Sequence, residues 1–204
     1  DACQSVGQLE VDVEKIQCDF LSATSRKFLR GPRGIGFLYA SRRIRHLCEP
    51  AFLDNHGAVW DSETSYRVLP DAIRYEQYEL NFAAKVGFGV AVEYCLELGI
   101  DWIANRVQYL AGFLRDRLRN LPNVHLHDYG SRLCGIVSFT VDEHSAESVK
   151  QSLRGGNVNV SVSAKPSTRL KFEQRDLDAV VRASVHYYNT EEEIEKCVEL
   201  IGTL

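Results

Sequence analysis

The sequence predicts an α/β protein in two parts. Short runs of β-branched and aromatic residues alternate with segments of helical period, as a fold of sheets and helices requires. Gly and Pro mark the ends of these runs at 31–36, 99, 122 and 155–156. A loop-rich stretch at 47–79 separates the strands at the start from the helices that follow.

Residues 19–39 read as a strand, a polar turn carrying Lys27, a bend rich in Gly and Pro, and a second apolar strand. Residues 41–47 read as a short basic helix whose solvated face holds Arg42, Arg43 and Arg45. Residues 47–79 contain Pro50, Asn55, Gly57 and Pro70 and read as loop. Residues 80–98 are helical, with a small-residue packing face at Ala83, Gly87, Val90, Ala91, Tyr94 and Cys95, and Gly99 ends the helix. Asp101 then caps a second helix that Pro122 stops. Residues 124–127 and 135–141 alternate as strands. His125 and His127 share one face there, with no third ligand near in sequence, and read as structural or surface residues. Ser145 opens a helix over 145–153. Residues 158–162 and 180–187 are further strands, and Thr190 with Glu193 forms a capping box for the last helix.

Composition points to a globular enzyme and away from other classes. Charged residues are 25% and hydrophobic residues 45%, close to ordinary globular values. A net charge of −4 gives no footprint for nucleic acid or an anionic membrane, and the arginines of 42–45 lack the interleaved aromatics of a nucleic-acid platform. The longest apolar-rich stretch, 82–98, contains Lys85, Glu93 and Glu97, so no membrane span is expected. The six cysteines are scattered without a CxxC pair, which fits reduced thiols in the cytoplasm better than a disulfide framework or a zinc site.

Lys27 carries the candidate chemistry. A lysine held at a strand end by a turn can form a Schiff base, and Asp1 and Gln4 supply a carboxylate and an amide upstream. Lysine and carboxylate are the pair that a pyridoxal 5'-phosphate (PLP) site needs. The cofactor joins the lysine amine as an imine, and its ring withdraws electrons best when a carboxylate keeps the ring nitrogen protonated. The amine must be neutral to attack, which cationic neighbours such as Arg26 and Arg30 favour. Thr24, Ser25 and Arg26 offer donors to a phosphate.

At this point the sequence resembles the class V aminotransferases, the PLP group that includes cysteine desulfurases, isopenicillin epimerase-like proteins and C–S lyases. Asp1, Gln4, Lys27, Gly31, Pro32, Gly34, Gly36, Leu38 and Tyr39 fall on the family pattern. The run from Val181 to Ile194 resembles its closing strand-to-helix signature. The resemblance implies the PLP-dependent transferase fold, with residues 1–98 the C-terminal part of the large cofactor-binding domain and 99–204 the small α/β domain. It implies that Lys27 forms the internal aldimine and removes the substrate α-proton. Asp1 would pair with the pyridine nitrogen, Gln4 would donate to the ring 3-oxygen, Thr24 and Arg26 would hold the phosphate, and Arg182 would clamp the α-carboxylate of an amino-acid substrate. It also implies a homodimer and a longer N-terminal half carrying the main phosphate-binding turn.

Two departures from the family pattern shape the expectation. Many relatives have a histidine where Arg26 stands. Desulfurases carry a nucleophilic cysteine on a loop before the closing strand, and residues 155–164 contain none. The run from Arg74 to Ala84 also lacks the glycine-threonine-proline phosphate loop of desulfurases, with Asn81 a candidate for a polar contact near the cofactor. An epimerase or C–S lyase outcome is therefore expected over a cysteine desulfurase. The alternative is a non-catalytic chain that completes a site on another polypeptide.

Overall fold

The computed structural model describes residues 1–204, which divide into two compact units, Asp1–Ile100 and Asp101–Leu204. In the first unit a short helix α1 (Val13–Ile16) precedes strands β1 (Phe20–Thr24) and β2 (Gly36–Ala40). These pair antiparallel from Phe20 opposite Ala40 to Thr24 opposite Gly36. The first residues run beside β1, where the Ala2 amide donates to the Ser22 carbonyl at 2.8 Å. A hairpin of β3 (Ala58–Ser62) and β4 (Ser65–Val68) follows, with a register irregularity between Trp60 and Ser62. A 3-10 turn (Ala72–Tyr75) leads into α2 (Phe82–Leu98).

Helix α2 starts and stops as its sequence dictates. The Asn81 side chain accepts from the Ala84 amide at 3.0 Å, which occupies one of the first-turn donors. Gly99, at φ 83°, closes the far end through its amide. The inner side of α2 carries Ala84, Gly87 and Ala91, small enough for the Gly/Pro bend to seat against it. A Cβ on Gly87 would lie 2.8 Å from Pro32 Cγ, and one on Gly31 3.2 Å from Ala91 Cβ.

The second unit holds a four-stranded antiparallel sheet in the order β5 (Val124–Leu126), β6 (Ile136–Val141), β8 (Ala179–Ser184), β7 (Ser161–Ala164). Alternation sets its two faces. Val137, Phe139, Val141, Val181 and Ala183 are buried, and the residues between them are not. Helix α4 (Ala146–Gly155) packs on β6, β7 and β8 and against α6 (Glu191–Gly202), burying Val149 and Leu153. Helix α3 (Ile100–Arg119) buries Ile103, Val107, Leu110, Leu114 and Leu118, one stripe at spacings of three and four. A short helix α5 (Arg169–Gln174) buries Phe172.

Polar clamps tie α3 into this unit. Arg115 is buried and donates from Nε to Asp128 at 2.6 Å, and from Nη2 to the carbonyls of Cys134 and Ile136 at 2.8 and 2.9 Å. Asp128 spends its other oxygen on the amide and hydroxyl of Ser138. Both buried charges are thereby hydrogen-bonded. Arg106 grips Glu191 with both Nη atoms, at 2.8 and 3.0 Å, and holds that carboxyl down at about 2.

Several elements differ from the sequence expectation. Residues 41–47 form successive turns rather than a helix, since so short a segment gains too little to nucleate one. The stretch 47–79 contains the β3–β4 hairpin. Asp101 lies in the first turn of α3, not at its cap. The strand expected from 158 begins at Ser161, since the Val158 amide closes α4 by donating to the Leu153 carbonyl at 2.9 Å. Asn81 serves as the cap of α2. No helix is long and apolar enough to cross a membrane.

Two measurements check these clamps. Asp128→Ala leaves the Arg115 charge buried beside carbonyls alone and should cost roughly 3–5 kcal/mol in urea unfolding. Glu191 has its pKa depressed in the folded state. The stability it contributes is therefore fully present above the ordinary carboxylate range and is lost as pH falls from about 4.5 towards about 2. The stability gap between wild type and Glu191→Gln should close over that interval in acid titrations followed by circular dichroism.

Candidate active site

The turn after β1 is built around Ser25. This residue is completely buried, its amide donates to the Ile35 carbonyl at 3.1 Å, and its hydroxyl donates to the Pro32 carbonyl. Its own carbonyl accepts from the Gly31 amide at 2.9 Å. The seven-residue excursion from Ser25 to Gly31 is thus closed at its base. Within it, the Arg30 amide donates to the Lys27 carbonyl at 2.9 Å, and Arg30 takes a left-handed φ of 62° to make the bend.

Lys27 sits inside this closed turn. Phe28 and Leu29 after it are buried, Arg26 before it is exposed, and Lys27 itself is half-buried. The two apolar side chains anchor the turn and fix where the lysine leaves it. Thr24 is half-buried at the end of β1, with its hydroxyl 3.4 Å from the Ile35 carbonyl.

The first residues reach the same turn. Gly7 has φ +90°, and a Cβ there would stand 2.7 Å from both the Leu29 nitrogen and the Phe28 carbonyl carbon. Only a glycine allows that backbone contact. Upstream, the amides of Ser5 and Val6 both donate to the Ala2 carbonyl at 3.0 Å, folding residues 1–6 into a turn beside β1. Asp1 is exposed there and accepts from the Cys3 amide at 2.7 Å. Gln4 is half-buried, and its carbonyl accepts at 2.5 Å from Nε2 of Gln8. Gln8 is 1% exposed and was not among the residues the sequence singled out.

The structure therefore packs the segment carrying Asp1 and Gln4 against the turn carrying Thr24, Arg26 and Lys27. A neighbouring cavity of about 600 Å³ is lined by Leu9, Leu21, Leu29, Tyr39, Phe88 and other apolar residues, and Lys27 is not part of its wall. Arg182 belongs to the second unit. It sits on the interior strand β8, opposite Ser138 on β6 and Ser161 on β7, and is half-buried. It faces away from the side that buries Val181 and Ala183.

These groups fit PLP by their chemistry. A half-buried amine at a strand end, a carboxylate beside that strand, and hydroxyl and guanidinium donors at the turn form the donor set the cofactor takes. Two of the six thiols are poorly suited to covalent work. Burial pushes Cys197 in α6 up to about 11 and raises Cys95 as well.

Comparison with known proteins agrees with the motif. The model of the family "Aminotransferase class-V" matches residues 1–197. The chain is 31% identical over 199 residues to a probable cysteine desulfurase of Methanothermobacter thermautotrophicus, covering 96% of this chain and 50% of that protein. It is 30% identical to a cysteine desulfurase of Shigella flexneri, covering 97% and 48%. The apo structure of the Thermococcus onnurineus NA1 cysteine desulfurase superposes with a TM-score of 0.92 at 26% identity, covering all of this chain and 51% of that one. The cystine C–S lyase C-DES shares the fold at 23% identity, with a TM-score of 0.83.

The chain spans about half the length of the curated relatives it matches. Those relatives carry the name that the missing loop cysteine had set aside, cysteine desulfurase, and the epimerase branch gains nothing from them. The expected fold and cofactor stand: the solved relatives have the PLP-dependent fold, and PLP is the cofactor of the family. With the lysine turn, the order of its motifs and a match over nearly the whole sequence in agreement, the chain belongs to the aminotransferase class-V family.

Proposed function

We propose that this chain is the lysine-bearing part of a PLP-dependent enzyme that cleaves the C–S bond of cysteine or a cysteine-like amino acid. The carrying observation is the Ser25-locked turn that holds a half-buried Lys27 in a class V chain. Cysteine enters the proposal through the descriptions of the relatives at about 30% identity. Residues 1–98 are read as part of the cofactor-binding domain and 99–204 as the small domain. The active form is read as a cytoplasmic homodimer, and six free cysteines suit a reducing compartment.

When bound, PLP supplies an aldehyde for an amine and a ring that draws electrons from the α-carbon. The chain's own groups divide the remaining work. Lys27 Nζ takes the α-proton of the substrate and later returns a proton. The Asp1 carboxylate would pair with the ring nitrogen, and Gln4 would donate to the ring oxygen. Thr24 Oγ1 and the Arg26 guanidinium would hold the phosphate. Arg182 presents a planar fork to the two oxygens of the α-carboxylate, which fixes the substrate by one end.

Loss of the α-proton to Lys27 and of sulfide from the β-carbon converts cysteine and water to pyruvate, ammonia and hydrogen sulfide. A second reading, favoured by the names of the relatives, is desulfuration: cysteine passes its sulfur to an enzyme thiol, leaving alanine and a persulfide. That route needs an accessible thiolate. The buried Cys197 is a poor acceptor, which leaves the half-buried thiols.

The full-length protein with PLP should absorb in the visible and lose that band on borohydride reduction. Lys27→Ala should abolish the band and lower turnover of L-cysteine by about 10²–10⁴-fold. A colourless protein with added PLP would return the chain to the non-catalytic alternative. Pyruvate among the products supports elimination, and alanine with a protein persulfide supports desulfuration. Arg182→Lys keeps the charge but loses the fork, and should raise KM for cysteine roughly ten- to hundred-fold in steady-state assays.

A further inference from the structure

A cavity of about 460 Å³ lies wholly within the second unit. Its size falls among clefts that hold small ligands, about 300–1,000 Å³. Its floor is apolar. Leu114, Ala183, Val185, Ile194 and Cys197 line it, and each of them is buried. Arg182 lies on the same strand as Ala183 but is not part of the wall, so the cavity is distinct from the proposed carboxylate clamp.

The rim is polar and uncommitted. Asn157, Asn159, Ser184 and Lys196 line it, and their side chains make no hydrogen bond or ion pair within the chain. Other lysines of this unit are paired, Lys150 with Glu147 at 2.9 Å and Lys165 with Asp178 at 2.8 Å. Glu193 brings the opposite charge to the rim, one turn before Lys196 on α6. Hydrogen bonds from Asn189 Nδ2 at 2.8 Å and the Thr190 amide at 3.1 Å lower the pKa of Glu193 and keep it ionised. Both bonds reach Oε2, which leaves Oε1 open to a further donor.

The rim is also held in place. The amides of Asn157 and Val158 donate to the Arg154 and Leu153 carbonyls at 3.0 and 2.9 Å, which fixes that edge to the end of α4. Across the cavity, the Asn189 amide donates to the His186 carbonyl at 3.0 Å and its side-chain oxygen accepts from the His186 amide at 2.8 Å. A cation and an anion that do not pair with each other, with amides and a hydroxyl between them, stand over a hydrocarbon floor. That arrangement complements a zwitterion with an apolar tail. We propose that this cavity binds an amino acid with an apolar side chain, its carboxylate at Lys196 and its ammonium at Glu193 Oε1. The site does not rest on the reading of Lys27.

The test is a methyl NMR titration of the full-length protein that follows Leu114, Val185 and Ile194. L-Leucine should move these resonances saturably. 4-Methylpentanoate lacks the ammonium and 3-methylbutylamine lacks the carboxylate, and each should bind at least about tenfold more weakly. Lys196→Gln, at an exposed position, should weaken leucine binding by about tenfold. Lys27→Ala should leave the leucine response unchanged, which separates failure of this site from failure of the lysine reading. Shifts that never saturate, equal binding of leucine and either half-ligand, or an unchanged Kd in Lys196→Gln overturn the proposal. So does loss of the response in Lys27→Ala, which would put the leucine at the cofactor instead.

Discussion

A single buried hydroxyl organises the candidate site. Ser25 is the hinge on which β1 turns back into β2, and its amide, carbonyl and hydroxyl are all committed inside the turn. A buried polar residue is tolerated when its groups are paired, and the pairing then rigidifies what it joins. Because Ser25 holds both ends of the 25–31 excursion, Phe28 and Leu29 can be drawn inward while Lys27 stays partly open. Every role assigned to the lysine presupposes that placement.

Much of this was legible in the sequence, and the reasons are local. The order strand, polar turn, Gly/Pro bend, strand leaves little freedom, and β1 and β2 pair as that order requires. Ser145 and the Thr190–Glu193 capping box sit where their side chains satisfy first-turn amides. Gly99 ends α2 because a left-handed residue is needed there. Elements whose cause is non-local were harder to see. The β3–β4 hairpin turns through Glu63 and Thr64, which lack the Gly or Asn signal of a tight turn, and its Val59, Trp60 and Tyr66 point largely to solvent. The Arg115–Asp128 clamp joins residues thirteen apart through tertiary structure, and no periodicity announces it.

The same distinction governs the reaction. The resemblance placed Lys27 and Arg182 by motif, since each lies in a short run with fixed spacing. Desulfuration, the second route proposed, would need an accessible thiol where elimination would not, and thiols are chosen by environment. Burial takes Cys197 out of consideration at neutral pH, a fact that spacing in α6 could not convey. The relatives' descriptions and the empty 155–164 segment pull in different directions here, which is why product analysis carries so much weight.

The contact of Gly7 with Phe28 and Leu29 has a further consequence. It is made by main-chain atoms, so the address of the amine is written in the backbone as well as in the Ser25 hydroxyl and the buried Phe28 and Leu29 side chains. The exposed side chain at position 26 can then differ without moving the lysine's backbone. An arginine standing where many relatives keep a histidine is a change the scaffold can absorb, leaving only the local charge beside the amine to differ.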